Sequence, residues 1–208
     1  IITGIGLSYA NAGPTHYSTE DFASLRSLSN CYIYTASDSN VAKLIAKKTL
    51  IQKLPTFVRL DRHPTSNFTL KTSINDINRG YRFLKKGSSK DKKLLIIGHG
   101  TIINRALEAC NKLNITTQKK IDTVDLIRSK PFPLQLKNKI NKYKNILTID
   151  EQTSEGSLGS LIMENCDLYK KNIKCMSLPD KFIFENLGRS KLLDKYGLSV
   201  TNIKNEII

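Results

Sequence analysis

Long hydrophobic runs are missing from this 208-residue chain. No apolar stretch approaches the ~20 residues that a membrane-crossing helix requires, so insertion into a bilayer is not expected. Cysteine is scarce and shows no pairing pattern. The four present, Cys31, Cys110, Cys166 and Cys175, form no CxxC motif and lie on or beside apolar segments, as buried thiols do in a reducing compartment. A cytoplasmic location is the expectation. Acidic residues are few, 18 against 33 Lys and Arg, which leaves a net charge of +15 and raises the question of an anionic partner. The lysines are spread along the whole chain, densest at Lys85-Lys86, Lys90 to Lys93 and Lys137 to Lys144. Aromatic residues do not interleave with them as they do on a base-stacking platform. A solvated lysine-rich surface is therefore expected, with a non-catalytic nucleic-acid-binding module as the alternative of a different class. Internal repeats are absent too, as are low-complexity tracts beyond the lysine-rich turns.

With 39% hydrophobic and 25% charged residues, what remains is ordinary globular composition. A chain of this length can bury roughly 70% of its unfolded surface without staples. It opens on Ile1 rather than Met, and IITGIGLSYA reads as the middle of a strand and loop; a missing natural start is expected, which makes the lack of a leader uninformative.

Short β-branched runs alternate with longer amphipathic ones, the pattern of mostly parallel sheets flanked by helices, so the predicted class is α/β in two units. In the first, CYIYT (31–35) and TFVRL (56–60) are expected strands. Between them, Ser37 or Asp38 caps a helix carrying Val41, Ala42, Leu44 and Ile45 toward the sheet. From His63 to about Lys93 the pattern dissolves into Ser, Asn, Lys and turn residues, which suggests a linker with room for a small hairpin around Tyr81 to Leu84. The second unit starts at LLIIG (94–98). It continues with a helix over about 102–113, strand IDTVDLI (121–127), a helix over about 134–143, strand NILTI (145–149), a helix across SLGSLIMEN and a closing helix near 189–196. The expected division is 1–64, a linker over 65–93, and 94–208.

The stretch GPTHYSTED (13–21) is the densest in usable chemistry. Gly13 and Pro14 make a turn, and Ser18 with Asp21 three residues later reads as a capping box. His16 would then sit just ahead of a helix N-terminus, where anions are favoured and an imidazole can offer an N–H to a substrate or cofactor oxygen. A histidine that only satisfies a loop carbonyl remains the alternative.

GLSYANAGPTHYSTEDFASLRSLSN, TASDSNVAKLIAKK and PTFVRLDR together resemble the pyrimidine-binding domain of transketolases, especially the split, two-subunit kind. LLIIGHGTIINRALEA, IDTVDLIRSKPFP and DEQTSEGSLGSLIMEN are similar to the C-terminal domain that follows it. The resemblance implies transfer of a two-carbon ketol unit between sugars, using thiamine diphosphate and a divalent metal such as Mg. Carried over position by position, it implies that His16 faces the cofactor and substrate oxygens, and that Arg62 binds the substrate's phosphate or distal hydroxyls. For Arg62 a salt bridge with Asp61 or Glu20 is the structural alternative. The family's acidic residue four before the histidine is here Ala12, beside Asn11, which leaves sugar stereoselectivity open. The family's catalytic glutamate, its cofactor-packing aromatics and its whole diphosphate-binding domain lie upstream of this chain, and no GDG metal motif or ligand-spaced cluster replaces them here. The implied partner is an N-terminal transketolase section, in a homodimeric or heterotetrameric assembly. This chain by itself is expected to be inactive. 1-Deoxyxylulose-5-phosphate synthase and the β-subunits of 2-oxo acid dehydrogenases share the domain order and form the second reading.

Three further places invite a role. Gly98 to Thr101 is either an anion-binding turn or a tight strand-to-helix connection capped by Thr101; Thr153 or Ser154 is expected to cap the next helix, whose glycines allow close packing. Asp150 and Glu151 are adjacent on a strand, so their side chains should point apart and not act as an acid and base pair.

Overall fold

The computed structural model describes residues 1–63, 71–91 and 93–207. Its strands and helices alternate as the sequence pattern requires, and they build two sheets rather than one.

The first sheet has the order β1 (Ile2–Thr3), β3 (Thr56–Leu60), β2 (Tyr32–Thr35), β7 (Arg128–Lys130). Its first three strands are parallel, and β7 is antiparallel to β2. Helix α1 (Asp21–Ser27) precedes β2, and α2 (Ser39–Thr49) crosses from β2 to β3. Asp38 is the N-cap of α2, accepting the Val41 amide at 2.8 Å, and Val41 and Ile45 are buried as their spacing predicts. The second sheet runs β4 (Tyr81–Lys85), β6 (Ile121–Leu126), β5 (Leu94–Gly98), β8 (Asn145–Thr153), β9 (Asn172–Leu178). All neighbours are parallel except the edge pair β4 and β6. Helices α4 (Ile103–Asn111), α8 (Arg189–Lys195) and α9 (Val200–Ile207) cover one face, and α6 (Leu134–Ile140) and α7 (Leu158–Asn165) the other; α5 (Ile115–Gln118) is a single turn leading into β6.

Strand alternation divides the core. In β5, Ile96 faces the layer of Ile103, Ala106, Leu192 and Ile203, whereas Leu95 and Ile97 face Val124, Leu136, Ile140 and Leu158. Phe22, Cys31 and Ile33 from the first unit join this second layer, so one apolar body runs through both sheets.

Several expectations change. The stretch predicted as a linker holds α3 (Ile74–Arg79), started by a Ser73–Asp76 capping box, and then β4. The hairpin around Tyr81 to Leu84 is instead a single edge strand on β6, since YRFLK alternates well enough to close that sheet. The part of that stretch over 64–70 lies outside the described residues. The capping box at Ser18 does not form. The first turn of α1 begins at Asp21 with Glu20 as N-cap, and the Ser18 backbone instead exchanges hydrogen bonds with Gly6 at 2.9 and 3.0 Å. Long-range pairing there outcompetes the local cap. Helix α7 starts after Ser157, not at Thr153 or Ser154, because β8 runs on to Thr153.

Candidate active site

Gly13 has a φ of +76°, so the Gly-Pro turn is real, and it presents Thr15 and His16 on an exposed loop. Thr15 Oγ1 lies 3.0 Å from His16 Nδ1, which leaves Nε2 on the side a ligand can reach. Because α1 begins five residues later and is only seven residues long, the helix-end argument for His16 falls away. What holds the ring is Tyr9, whose ring centroid is 5.6 Å from that of His16. The same tyrosine carries the Arg62 guanidinium 4.5 Å from its ring centroid. The two residues singled out in the sequence are thus brought together by a third that the sequence did not flag. Tyr9 owes its place to Gly4: at φ +83°, a Cβ on Gly4 would come within 1.9 Å of the Tyr9 ring.

Arg62 is not ion-paired to Asp61. Its backbone amide donates to Ser8 Oγ at 2.9 Å, and its side chain borders a cavity of about 290 Å³ shared with Ser39, Asp61, His63 and Thr101. The cavity lies beside the N-terminus of α2, which the Asp38 carboxylate already caps. Asp61 borders the same cavity with its carboxylate already engaged. It accepts from Ser8 Oγ and Thr101 Oγ1, both at 2.6 Å, and from Arg189 at 2.6 Å. Burial alone would raise its carboxyl, but Arg189, Ser8, Thr101 and the His63 amide together hold it below the usual aspartate value. Arg189 also takes both oxygens of Glu151, at 2.7 and 3.1 Å, and Glu151 accepts the Leu7 amide at 3.3 Å. This network locks the loop at Ser8, the end of β3 and the closing helix α8 behind the exposed residues. No pattern in LGRSK announced Arg189.

The glycine turn after β5 is a structural connection. Thr101 serves Asp61 and Arg189 rather than a helix cap, and the buried His99 ring lies 2.7 Å from Asp150 and edge-on to Phe22 at 4.7 Å. Asp150 also accepts the Leu158 amide at 3.0 Å, so it ties β8 to the start of α7. Burial opposes its ionisation, yet His99 and Arg59 with that amide keep its carboxyl low. Asp150 and Glu151 have separate partners, as strand alternation predicts. Deeper still, Arg59 holds both oxygens of Asp21 at 2.6 and 2.9 Å.

Among the described residues, no group of three His, Cys, Asp or Glu side chains could hold a metal ion. The donor set of the described residues therefore does not fit a divalent metal. No helix among the described residues is long and apolar enough to cross a membrane.

Two α/β sheets are thus joined by a buried ion network, with the exposed His16 and Arg62 both set against the Tyr9 ring. Residues 86–203 match the family described as Transketolase, C-terminal domain, and the chain belongs to that family. Among curated proteins it is similar to the 1-deoxy-D-xylulose-5-phosphate synthases of Dictyoglomus thermophilum (32% identical over 202 residues), Bacillus velezensis (30% over 204) and Mannheimia succiniciproducens (27% over 198). Each alignment covers 94% of this chain and 30–31% of the relative, so the chain spans under a third of their length. Among solved structures, a split gene transketolase described as an inactive beta4 tetramer superposes with a TM-score of 0.80 at 23% identity, covering 99% of this chain and 64% of that one; this likeness speaks for the fold.

Proposed function

We propose that this chain is the C-terminal section of a thiamine-diphosphate-dependent, transketolase-like transferase that moves a two-carbon ketol unit between sugars. In this reading it forms one wall of an active site and is inactive by itself. The observation that carries the reading is the exposed grouping of His16 and Arg62 on Tyr9 in a chain whose described residues supply no metal site. The metal and the diphosphate then belong to an N-terminal section, in a dimer or a heterotetramer of the two. A split gene transketolase of like fold is described as an inactive beta4 tetramer. The first unit is read as part of a pyrimidine-binding domain, as expected for 1–64, and the compartment as the cytoplasm.

Bound by that other section, thiamine diphosphate supplies the carbon nucleophile and electron sink for cleaving a carbon-carbon bond next to a ketose carbonyl. The residues of this chain act around it. His16, with Nδ1 held by Thr15, presents Nε2 to a hydroxyl or carbonyl oxygen of the sugar. Arg62, beside the cavity at the start of α2, takes the distal phosphate or hydroxyls. Asp61 and Arg189 position the backbone beneath them. Ala12 offers no carboxylate, so hydroxyl stereochemistry is read by other contacts.

Formation of 1-deoxy-D-xylulose 5-phosphate is the second reading, favoured by the curated relatives. Product analysis separates the two. Co-expressed with the N-terminal section, the chain is expected to support thiamine-dependent transfer from a ketose, and His16→Ala to lower kcat/KM at least tenfold. Arg62→Ala is expected to raise KM for phosphorylated sugars more than for unphosphorylated ones. Full activity in His16→Ala would remove that residue from the site.

A further inference from the structure

Two lysine-bearing stretches that lie far apart in sequence meet on one edge of the second sheet. Lys86 and Lys90 follow β4, Lys139 is in α6 and Lys142 follows it; all four border a cavity of about 510 Å³. Its acidic lining is limited to Asp122 and Asp91. Asp122 is already engaged by the Tyr143 hydroxyl and by the Gly87 amide at 2.7 Å, and Asp91 lies 4.0 Å from Lys120. Four ammonium groups thus face two carboxylates, of which Asp122 is engaged elsewhere and Asp91 is largely exposed. The Phe83 ring carries two of these charges, with Lys86 Nζ 5.0 Å and Lys139 Nζ 5.8 Å from its centroid. One ring holds two cations at a common wall, an arrangement that lowers the cost of their mutual repulsion only partly. A second cavity of about 360 Å³ shares Phe83, Lys86 and Lys139, but its arginines are paired, Arg79 with Asp76 and Arg82 with Asp38 and Asp125, so the uncompensated charge is that of the lysines.

We propose that this basin is a binding site for a compact polyphosphate anion, a small molecule carrying two or more phosphate groups. A concave volume of this size suits a small ligand. Four point-like ammoniums without a guanidinium fork match the spread charge of clustered phosphate oxygens better than a planar carboxylate. A single nucleic-acid strand is a poorer fit. Phe83 is occupied by lysine ammoniums, and Tyr81 and Tyr143 are buried, so bases find no open stacking face. The site draws on none of the residues assigned to ketol transfer and stands whether or not that reading holds.

The test is calorimetric titration of the full chain with inorganic tripolyphosphate at low and moderate salt. Saturable one-to-one binding is expected. Lys86→Gln with Lys139→Gln should weaken it at least tenfold, and Lys43→Gln with Lys191→Gln, which removes the same charge from α2 and α8, should change it less than twofold. Lys90→Gln with Lys142→Gln reads the same site should the first pair fail to fold. Sulfate at equal ionic strength should not compete. Absence of binding, equal loss in the distal pair, or full competition by sulfate would overturn the proposal. So would tighter, Lys86-dependent binding of duplex DNA, which would make the basin a nucleic-acid surface.

Discussion

Tyr9 shows how a single side chain can bring two others together, here His16 and Arg62, without being conspicuous in sequence. GLSYAN offers no motif that marks it, whereas GPTHYSTED and the arginine at the end of TFVRLDR were legible from residue type and resemblance. What could not be read was that Gly4 clears space for the ring, because that contact depends on backbone angles. Tyr9→Phe is expected to keep activity in the assembled enzyme, and Tyr9→Ala to combine the kcat loss of His16→Ala with the KM rise of Arg62→Ala; steady-state kinetics on both variants checks this. Buried carboxylates give a second expectation at this scale. Asp61 and Asp150 are held below the ordinary value of 3.8, so their stabilisation is present above it and is lost as pH falls through their lower folded values. Asp125 behaves oppositely. Burial pushes its carboxyl up to about 6 despite Arg82 and Ser37, so the folded protein takes up a proton before the unfolded chain does. Between pH 4 and 6 its contribution therefore weakens as pH rises, by about 1 kcal/mol per pH unit. Denaturant unfolding of the wild type and Asp125→Asn across that window should show this difference in slope, and parallel curves would contradict it.

At the level of elements, periodicity carried most of the information. β3, β5 and the cap of α2 follow the sequence reading closely, since LLIIG and TFVRL are short β-branched runs and Asp38 precedes an amphipathic stretch. Elements with weak signals escaped it. β4 lies between α3 and a lysine-rich turn, β7 is three residues long and joins the other sheet, and β9 reads NIKCMSL with an exposed, polar start. The misplaced helix start at Ser18 has a different cause: the Gly6 pairing made across the loop is invisible to local pattern. Close packing of α7 on β9 is testable. Gly159 lies so near β9 that an added Cβ would stand 2.4 Å from Cys175 Sγ. Gly159→Ala should destabilise the fold by about 1–3 kcal/mol in spite of the better helix propensity of alanine, and Cys175→Ala should recover part of that loss. Thermal unfolding of the two single variants and the double variant measures the coupling.

The whole molecule is two sheets fastened by buried charge. Asp61, Arg189 and Glu151 hold the closing helix to the end of β3, while Arg82 joins Asp38 of the first unit, at 2.8 Å, to Asp125 of the second, at 2.9 Å. Burial works against the Arg189 charge, but Glu151 and Asp61 outweigh it and hold its guanidinium more firmly protonated than usual. Asp61→Ala should therefore cost on the order of 2 kcal/mol, since it leaves Arg189 half-compensated in a poorly solvated place. The two-unit α/β architecture and its order were legible in the sequence; the fastening was not, because ion pairs between residues that lie 38 to 128 positions apart leave no local trace. In the proposed reading, the exposed His16 and Arg62 stand on this fastened body. The most direct measurement is ketol transfer with thiamine diphosphate and Mg²⁺ by this chain alone, by the N-terminal section alone and by the two mixed. Activity in the mixture only is the predicted result, and turnover by this chain alone, or none in a mixture that forms a stable complex, would contradict the account.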